Sequence, residues 1–161
     1  MILLGLNCGF GATDCSQLQW DNLDLKGGRV DFPRGKTGIG RNLALWPETI
    51  EALRSLPRKD RRVFCTAKGN SWVRVTDKGY DSQIAKEFRK LMKAAAIKVE
   101  KGTGFYTLRR TSATITAGTG DVFAVQRLLG HADTKMASTY VQNIDEQTDR
   151  AINHTRDWLT K

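Results

Sequence analysis

Residues 30–46 are the most informative stretch of the sequence for the fold. Apolar and polar residues alternate over residues 30–32 and again over residues 42–46, which is the pattern of short strands. Between them lies the basic, glycine-rich segment Pro33–Arg41, whose composition is typical of a hairpin turn. The stretch therefore predicts a small antiparallel sheet, to which a strand over residues 63–65 is expected to add.

Most of the remaining chain has the apolar spacing of amphipathic helices. The clearest example is residues 81–96, where apolar residues recur on one face from Ile84 to Ala95. The apolar opening, residues 1–6, is typical of the end of a buried helix and predicts a chain truncated at its N-terminus. The pattern predicts a single domain over residues 1–161, mainly α with a small antiparallel β-sheet (α+β). Shorter helices are predicted after Thr13-Asp14 and over residues 47–56, 108–117, 122–129, 134–141 and 145–159.

The charge balance favours a polyanionic partner. The 161 residues include 26 Lys and Arg against 17 Asp and Glu, so the formal net charge is +9 and the sequence pI is about 9.7. Such a domain commonly binds nucleic acid and less often an acidic membrane, although a basic surface can also serve solubility alone. No apolar run approaches the ~18 residues that a membrane span needs. Two histidines, and three cysteines without a CxxC pair, do not form a metal-ligand pattern and suggest a reducing compartment.

Three short segments carry the candidate functional residues. In chain order they are Lys36-Thr37-Gly38 in the predicted hairpin, Tyr106-Thr107-Leu108-Arg109-Arg110, and Leu128-Leu129-Gly130-His131, which Tyr140 follows nine residues later. Gly130 can adopt the left-handed turn that ends a helix. In this order and spacing, from about Gly9 to Tyr140, the segments resemble the catalytic domain of the tyrosine recombinases, the phage integrase family. Each segment alone is weak evidence for this family, but the three segments together are specific to it.

The resemblance implies a chemical role for three of these residues. Tyr140 matches the nucleophile, which attacks a scissile DNA phosphate and forms a covalent 3′-phosphotyrosyl link. A phenol with a pKa of about 10 needs an electropositive pocket to do this. Lys36 matches the general acid that protonates the leaving 5′-oxygen. Arg109 matches an arginine that holds the phosphate oxygens with two hydrogen bonds as charge builds on them.

The resemblance also covers supporting positions, with two departures. His131 matches a histidine that hydrogen-bonds the phosphate, and Asp14 matches an acidic residue that supports the site. Tyr106 stands where the family usually has histidine, and its phenol can still hydrogen-bond a phosphate oxygen. Gly11 stands three residues before Asp14, where the family has its first catalytic arginine. Removing one such preorganised donor commonly costs about 2.7–4 kcal/mol of transition-state stabilisation.

Three other arginines flank the matched motifs, namely Arg34, Arg41 and Arg110. Each is expected to contact the DNA backbone, because phosphates account for most of the affinity of such proteins for DNA. One of them could also supply the guanidinium that Gly11 lacks. All three arginines stay open as candidates for this replacement.

The resemblance implies site-specific recombination or integration of a mobile element, on double-stranded DNA, without a metal or nucleotide cofactor. It also implies a cytoplasmic, nucleoid-associated protein with no membrane attachment. Members of the family usually assemble as a tetramer on DNA and exchange C-terminal segments between neighbouring copies. In this chain the predicted helix over residues 145–159 is the candidate for the exchanged segment. They usually carry an N-terminal DNA-clamping domain, which we expect this chain to lack.

Other interpretations stay open. Gly11 favours a DNA-binding remnant of an integrase that keeps the basic groove but has lost strand cleavage. A third interpretation is a topoisomerase-like enzyme of related chemistry, which acts on DNA with a single partner. Taken singly, the matched residues also fit ordinary structural roles, with Tyr140 as a packing residue, His131 in a turn and Lys36 on a solvated hairpin.

Overall fold

The structure, a computed structural model, describes residues 1–77, 79–140 and 144–160. Its helices are α1 (Ile2–Asn7), α2 (Ala12–Gln17), α3 (Pro47–Arg54), α4 (Gln83–Ala94), α5 (Phe105–Ala117), α6 (Val122–Leu129), α7 (Lys135–Ser138) and α8 (Ile144–Leu159). One antiparallel sheet contains β1 (Leu23–Asp24), β2 (Arg29–Asp31) and β3 (Asn42–Ala44), and a second contains β4 (Val73–Thr76) and β5 (Gly79–Ser82). The predicted fold class, mainly α with small antiparallel sheets, is confirmed.

The first sheet forms where the alternation of residues predicts it. Val30 of β2 pairs with Leu43 of β3 and is fully buried, while its neighbours Arg29 and Asp31 are exposed. The ladder continues past β3, since the Phe32 N–H donates to the Arg41 carbonyl at 3.0 Å. The hairpin that joins β2 to β3 is thereby anchored to the core at its base and extends outward from the sheet.

The remaining strands differ from the prediction at two places, residues 63–65 and the second sheet. The strand predicted over residues 63–65 is wrong: Val63 is buried and its N–H donates to the Leu18 carbonyl, but only an isolated bridge between Gln19 and Arg62 forms there. The segment packs against the core as an extended loop instead of joining the ladder. The β4–β5 hairpin is not among the predictions, although the residues of β4, Val73-Arg74-Val75-Thr76, do alternate; β5 (Gly79–Ser82) has little apolar alternation of its own.

The predicted helices are all present, with shifted ends. Helix α5 begins three residues earlier than expected, because Gly104 is its N-cap and donates its N–H to the Thr107 hydroxyl at 3.1 Å. Helix α7 is shorter than predicted, so Tyr140 lies in the turn after it instead of inside it. The last residue of that predicted helix, Val141, lies outside the described residues.

Two groups of buried apolar residues hold these elements together. The larger group joins α1, α2, the first sheet, α3, α4 and the start of α5, and the smaller group joins the rest of α5 with α6 and α7. They meet at Gly9, whose φ is 61° and where an added Cβ would lie 3.3 Å from a Leu129 methyl carbon. The turn between α1 and α2 therefore lies against the end of α6. Among the described residues, no helix is both long and apolar enough to cross a membrane.

Candidate active site

A cleft of ≈ 790 Å³ opens between the start of α2, the β2–β3 hairpin and the start of α5. Five predicted site residues, distant in sequence, line it together: Asp14, Arg34, Lys36, Tyr106 and Arg109. Gly11, Tyr80 and Phe105 are also in its wall. The cleft thus combines three cationic side chains with one carboxylate and two phenols, a donor-rich composition that suits an anionic ligand.

Arg109 is the most firmly held cation of the cleft. Its side chain is buried, and its two terminal nitrogens donate to the Gly9 carbonyl at 2.6 Å and the Leu129 carbonyl at 2.7 Å. Nη1 also lies 4.0 Å from Asp14 Oδ2. Burial, and next the charge of Arg34, lower the pKa of Arg109, yet a guanidinium keeps its proton at neutral pH. Arg109 therefore places a fixed positive charge between the turn that contains Gly9 and the end of α6 at Leu129.

Arg41 lies inside the protein, below the cleft. Its Nη2 donates to Asp14 Oδ1 at 2.8 Å and its Nε donates to the Phe32 carbonyl at 3.2 Å. The guanidinium carbon lies 4.6 Å from the ring centroid of Phe10, a cation–π contact. The side chain is completely buried, so in this structure Arg41 does not present its guanidinium for the predicted contact with the DNA backbone. Arg41 instead holds Asp14, whose Oδ2 accepts the Gly11 N–H at 2.8 Å.

The hairpin is docked on the turn that follows α6. The Thr37 hydroxyl donates to the Gly130 carbonyl at 2.9 Å, and Arg34 Nη1 lies 3.4 Å from the same oxygen. Gly130 has the predicted left-handed conformation, with φ 62° and ψ 42°. An added Cβ there would lie 3.0 Å from Arg34 Cβ and 3.1 Å from Arg41 Cδ. Glycine is therefore needed both for the turn and for the close approach of the hairpin, which carries Arg34 and Lys36 into the cleft.

His131 and Tyr140 lie outside the cleft wall. His131 directly follows the docked turn, and burial, together with the charges of Arg34 and Arg109, lowers its pKa, so its imidazole is neutral at pH 7. Its buried Nδ1 has no hydrogen-bond partner within the part of the chain that the structure describes. Tyr140 packs on the smaller apolar group, which contains Ala113, Ala117, Val125, Leu129 and Ala137.

Two of the predicted site residues, Tyr106 and Arg110, are exposed on α5. Tyr106 is 56% exposed at the rim of the cleft. Arg110 faces solvent and is not part of the cleft wall. No group of three or more His, Cys, Asp or Glu that could hold a metal ion occurs among the described residues.

A sequence model of the phage integrase family matches residues 1–147, nearly the whole chain. The chain belongs to the phage integrase family. The resemblance predicted from the hairpin lysine, the Leu-Gly-His turn and the following tyrosine is therefore confirmed. A comparison with curated proteins gave no match.

Solved structures of recombinases share the fold. XerA recombinase is 22% identical, with 94% of this chain and 56% of that chain covered and a TM-score of 0.69. XerH recombinase, bound to its difH substrate in a pre-cleavage complex, is 22% identical, with 94% and 44% covered and a TM-score of 0.71. The Tn1549 transposon integrase, in complex with circular intermediate DNA, is 17% identical, with 96% and 58% covered and a TM-score of 0.69. The chain spans about half the length of these proteins.

The sequence contains a signal for the burial of Arg41. Arg41 is two residues before Leu43 and four before Leu45, so the same alternation that buries these leucines points Arg41 inward. It also pairs with Phe32 across the hairpin. A charged residue at an inward position of a strand requires a buried counter-charge, which in this member of the phage integrase family is Asp14.

Proposed function

We propose that this protein cuts and rejoins double-stranded DNA at specific sites, through a 3′-phosphotyrosyl intermediate on Tyr140. The observation that carries the proposal is the cleft in which Lys36, Arg109 and Arg34 lie together. Three cations around one concave surface suit a phosphodiester, which gains negative charge on its oxygens in the transition state. Family membership supports the same conclusion, as do relatives whose structures contain DNA.

The proposed reaction exchanges one phosphate ester for another. The Tyr140 oxygen forms a bond to phosphorus while the bond to the 5′-oxygen of the DNA breaks. The phenol proton passes to solvent, Lys36 gives a proton to the leaving 5′-oxygen, and His131 hydrogen-bonds the phosphate. Arg109 stabilises the non-bridging oxygens, and Asp14 keeps the surrounding guanidinium groups in place. Rejoining follows the same steps in reverse.

Tyr140 does not line the cleft, so the proposal requires that its segment shift when DNA binds. The contacts that hold this segment are modest: a half-buried ring, and a backbone N–H that donates to the Ala137 carbonyl at 3.1 Å. Helix α7 is only four residues long. The turn that carries Tyr140 can therefore shift at lower cost than α7 itself, whose Ala137 is fully buried.

The proposed macromolecular partners are duplex DNA and further copies of the chain. Exposed basic residues such as Arg110 are placed to contact the DNA backbone beside the cleft. Helix α8 exposes Ile152, Trp158 and Leu159, each more than half accessible to solvent (61%, 70% and 71%). We propose that this helix docks on a neighbouring copy when four copies assemble on DNA, since an isolated helix gains stability by burying its apolar face.

The experiment that tests the proposal uses a nicked DNA substrate from which the cleaved end diffuses away, so that the covalent adduct accumulates. We expect the protein to form an adduct that is stable in denaturant, and Tyr140→Phe to form none while it binds DNA as before. The matched variant Tyr106→Phe should retain the adduct, at a reduced rate. DNA binding with no adduct from the unaltered protein would refute the proposal and favour a DNA-binding remnant, the function that Gly11 suggests.

A further inference from the structure

We propose that Arg34, in the hairpin, is the second phosphate-binding guanidinium of the cleft and replaces the arginine that the family has at the position of Gly11. The inference rests on the proposed function and deepens it, because it assigns an additional residue to the same phosphate. It makes Arg34 a catalytic residue, one that contacts the reacting group.

The start of α2 provides no cation to the cleft. Gly11 is in the cleft wall, and an added Cβ there would approach only Asp14 Oδ2, at 3.6 Å. Its φ of −85° and ψ of 178° are ordinary for any residue. The backbone conformation and the space for a Cβ therefore do not require glycine at this position. A second guanidinium in the cleft wall, in addition to Arg109, therefore has to come from another element.

Arg34 is in the right place to supply that charge. It lines the same cleft as Gly11, Lys36 and Arg109. Its electrostatic effect reaches both sides of the proposed phosphate site, since the Arg34 charge contributes to the lowered pKa of Arg109 and of His131. Arg34 is on the hairpin that also carries Lys36, and both share the cleft wall with Arg109, so all three side chains border the space that the phosphate would occupy.

The donors of Arg34 are still available. Among the described residues its side chain has one hydrogen bond, from Nη1 to the Gly130 carbonyl, and the separation of 3.4 Å makes that bond weak. A guanidinium has five N–H donors in a planar fork, so two parallel bonds to phosphate oxygens remain open to it. The contact with Gly130 orients the side chain without occupying it.

The other two candidate arginines do not fit. The guanidinium of Arg41 is completely buried and binds Asp14, so it is separated from any ligand in the cleft. Arg110 is exposed on α5 and does not line the cleft. Arg34 is thus the one of the three candidates whose side chain shares a surface with Lys36 and Arg109.

The test measures the single-turnover rate of adduct formation on the nicked substrate at saturating DNA. We expect Arg34→Ala to lower this rate about 10²–10³-fold, the usual effect of removing one preorganised donor. Arg34→Lys keeps the charge but loses the two-pronged contact, so its rate should lie between the two. Arg89→Ala is the matched control, because it removes an exposed arginine on α4 that is outside the cleft, and it should leave the rate unchanged.

The decisive variant is the double substitution Gly11→Arg with Arg34→Ala. If Arg34 binds the phosphate, an arginine at position 11 should restore the rate at least about tenfold over Arg34→Ala, which a residue that only docks the hairpin would not allow. Thermal unfolding checks that each variant is folded, and Arg34→Lys replaces Arg34→Ala if the alanine variant is not. An unchanged rate in Arg34→Ala, or a slow rate that Gly11→Arg does not raise, would overturn this inference but not the proposed function. Absence of any adduct from the unaltered protein would overturn both.

Discussion

Replacement of Arg41 by alanine should strongly destabilise the fold. The substitution removes the 2.8 Å bond to Asp14 Oδ1, the 3.2 Å bond to the Phe32 carbonyl and the cation–π contact with Phe10. It also leaves a cavity where a completely buried side chain was packed. Breaking a buried ion pair from one side costs about 3–5 kcal/mol, because the remaining charge stays desolvated without its partner.

The structure places the expected loss near the lower end of that range. Asp14 keeps the Gly11 N–H at 2.8 Å and has Arg109 at 4.0 Å, and its side chain is 14% exposed, so it is not stranded. We therefore expect Arg41→Ala to lower the free energy of unfolding by about 3 kcal/mol, which is roughly 6–12 °C in Tm for a domain of this size. Arg41→Met, which fills much of the space between Phe10 and Phe32, should lose less.

Urea unfolding followed by circular dichroism measures these free energies. The paired variant Asp14→Asn provides a double-mutant cycle: Arg41→Met with Asp14→Asn should cost less than the sum of the two single changes, because the buried pair is removed as a unit. A loss below about 0.5 kcal/mol in Arg41→Ala, the range of ordinary surface substitutions, would refute the interpretation of Arg41 as a buried support.

Three further predictions concern the docked turn. Gly130→Ala should lower the free energy of unfolding by about 2 kcal/mol or more, because φ is 62° and the new methyl group would meet Arg34 Cβ at 3.0 Å; an unchanged urea midpoint would contradict this. Thr37→Val should cost about 1 kcal/mol and speed amide exchange at the hairpin tip, since it removes the 2.9 Å bond to Gly130; equal exchange rates would show that this bond does not hold the hairpin. Because the folded pKa of His131 lies below its ordinary value of 6.5, stability should be complete above pH 6.5 and fall as the pH drops toward the folded pKa; His131→Gln should flatten this part of the profile, and an identical slope would exclude His131 as its cause.

Local signals in the sequence were enough for the parts of the fold that depend on one segment. Strand β2 with buried Val30 follows from alternation, and the end of α6 follows from Gly130, whose left-handed conformation closes the helix. The family resemblance also depended on local motifs with fixed spacing. Each of these features is determined by residues close together in the chain, which is why the sequence was sufficient for them.

Features that depend on distant contacts were not predictable in the same way. The β4–β5 hairpin is an exception, since the alternation of Val73-Arg74-Val75-Thr76 is a local signal for β4. The sequence predicts Arg41 as a surface cation because its counter-charge, Asp14, is in another element. The choice of Arg34 over Arg41 and Arg110 depends on which side chains share the cleft, and that arrangement results from the docking of the hairpin on Gly130.

The site of DNA attachment distinguishes Tyr140 from every other candidate nucleophile. The sequence has three tyrosines, and two of them, Tyr80 and Tyr106, line the cleft. Trypsin cuts after Lys and Arg, so the three tyrosines fall in separate peptides, and tandem mass spectrometry of the nuclease-trimmed adduct identifies the modified one. We predict a nucleotide phosphate on Tyr140 alone. A nucleotide on Tyr106 or Tyr80, or no modified tyrosine in the presence of saturating nicked DNA, would contradict the proposed mechanism.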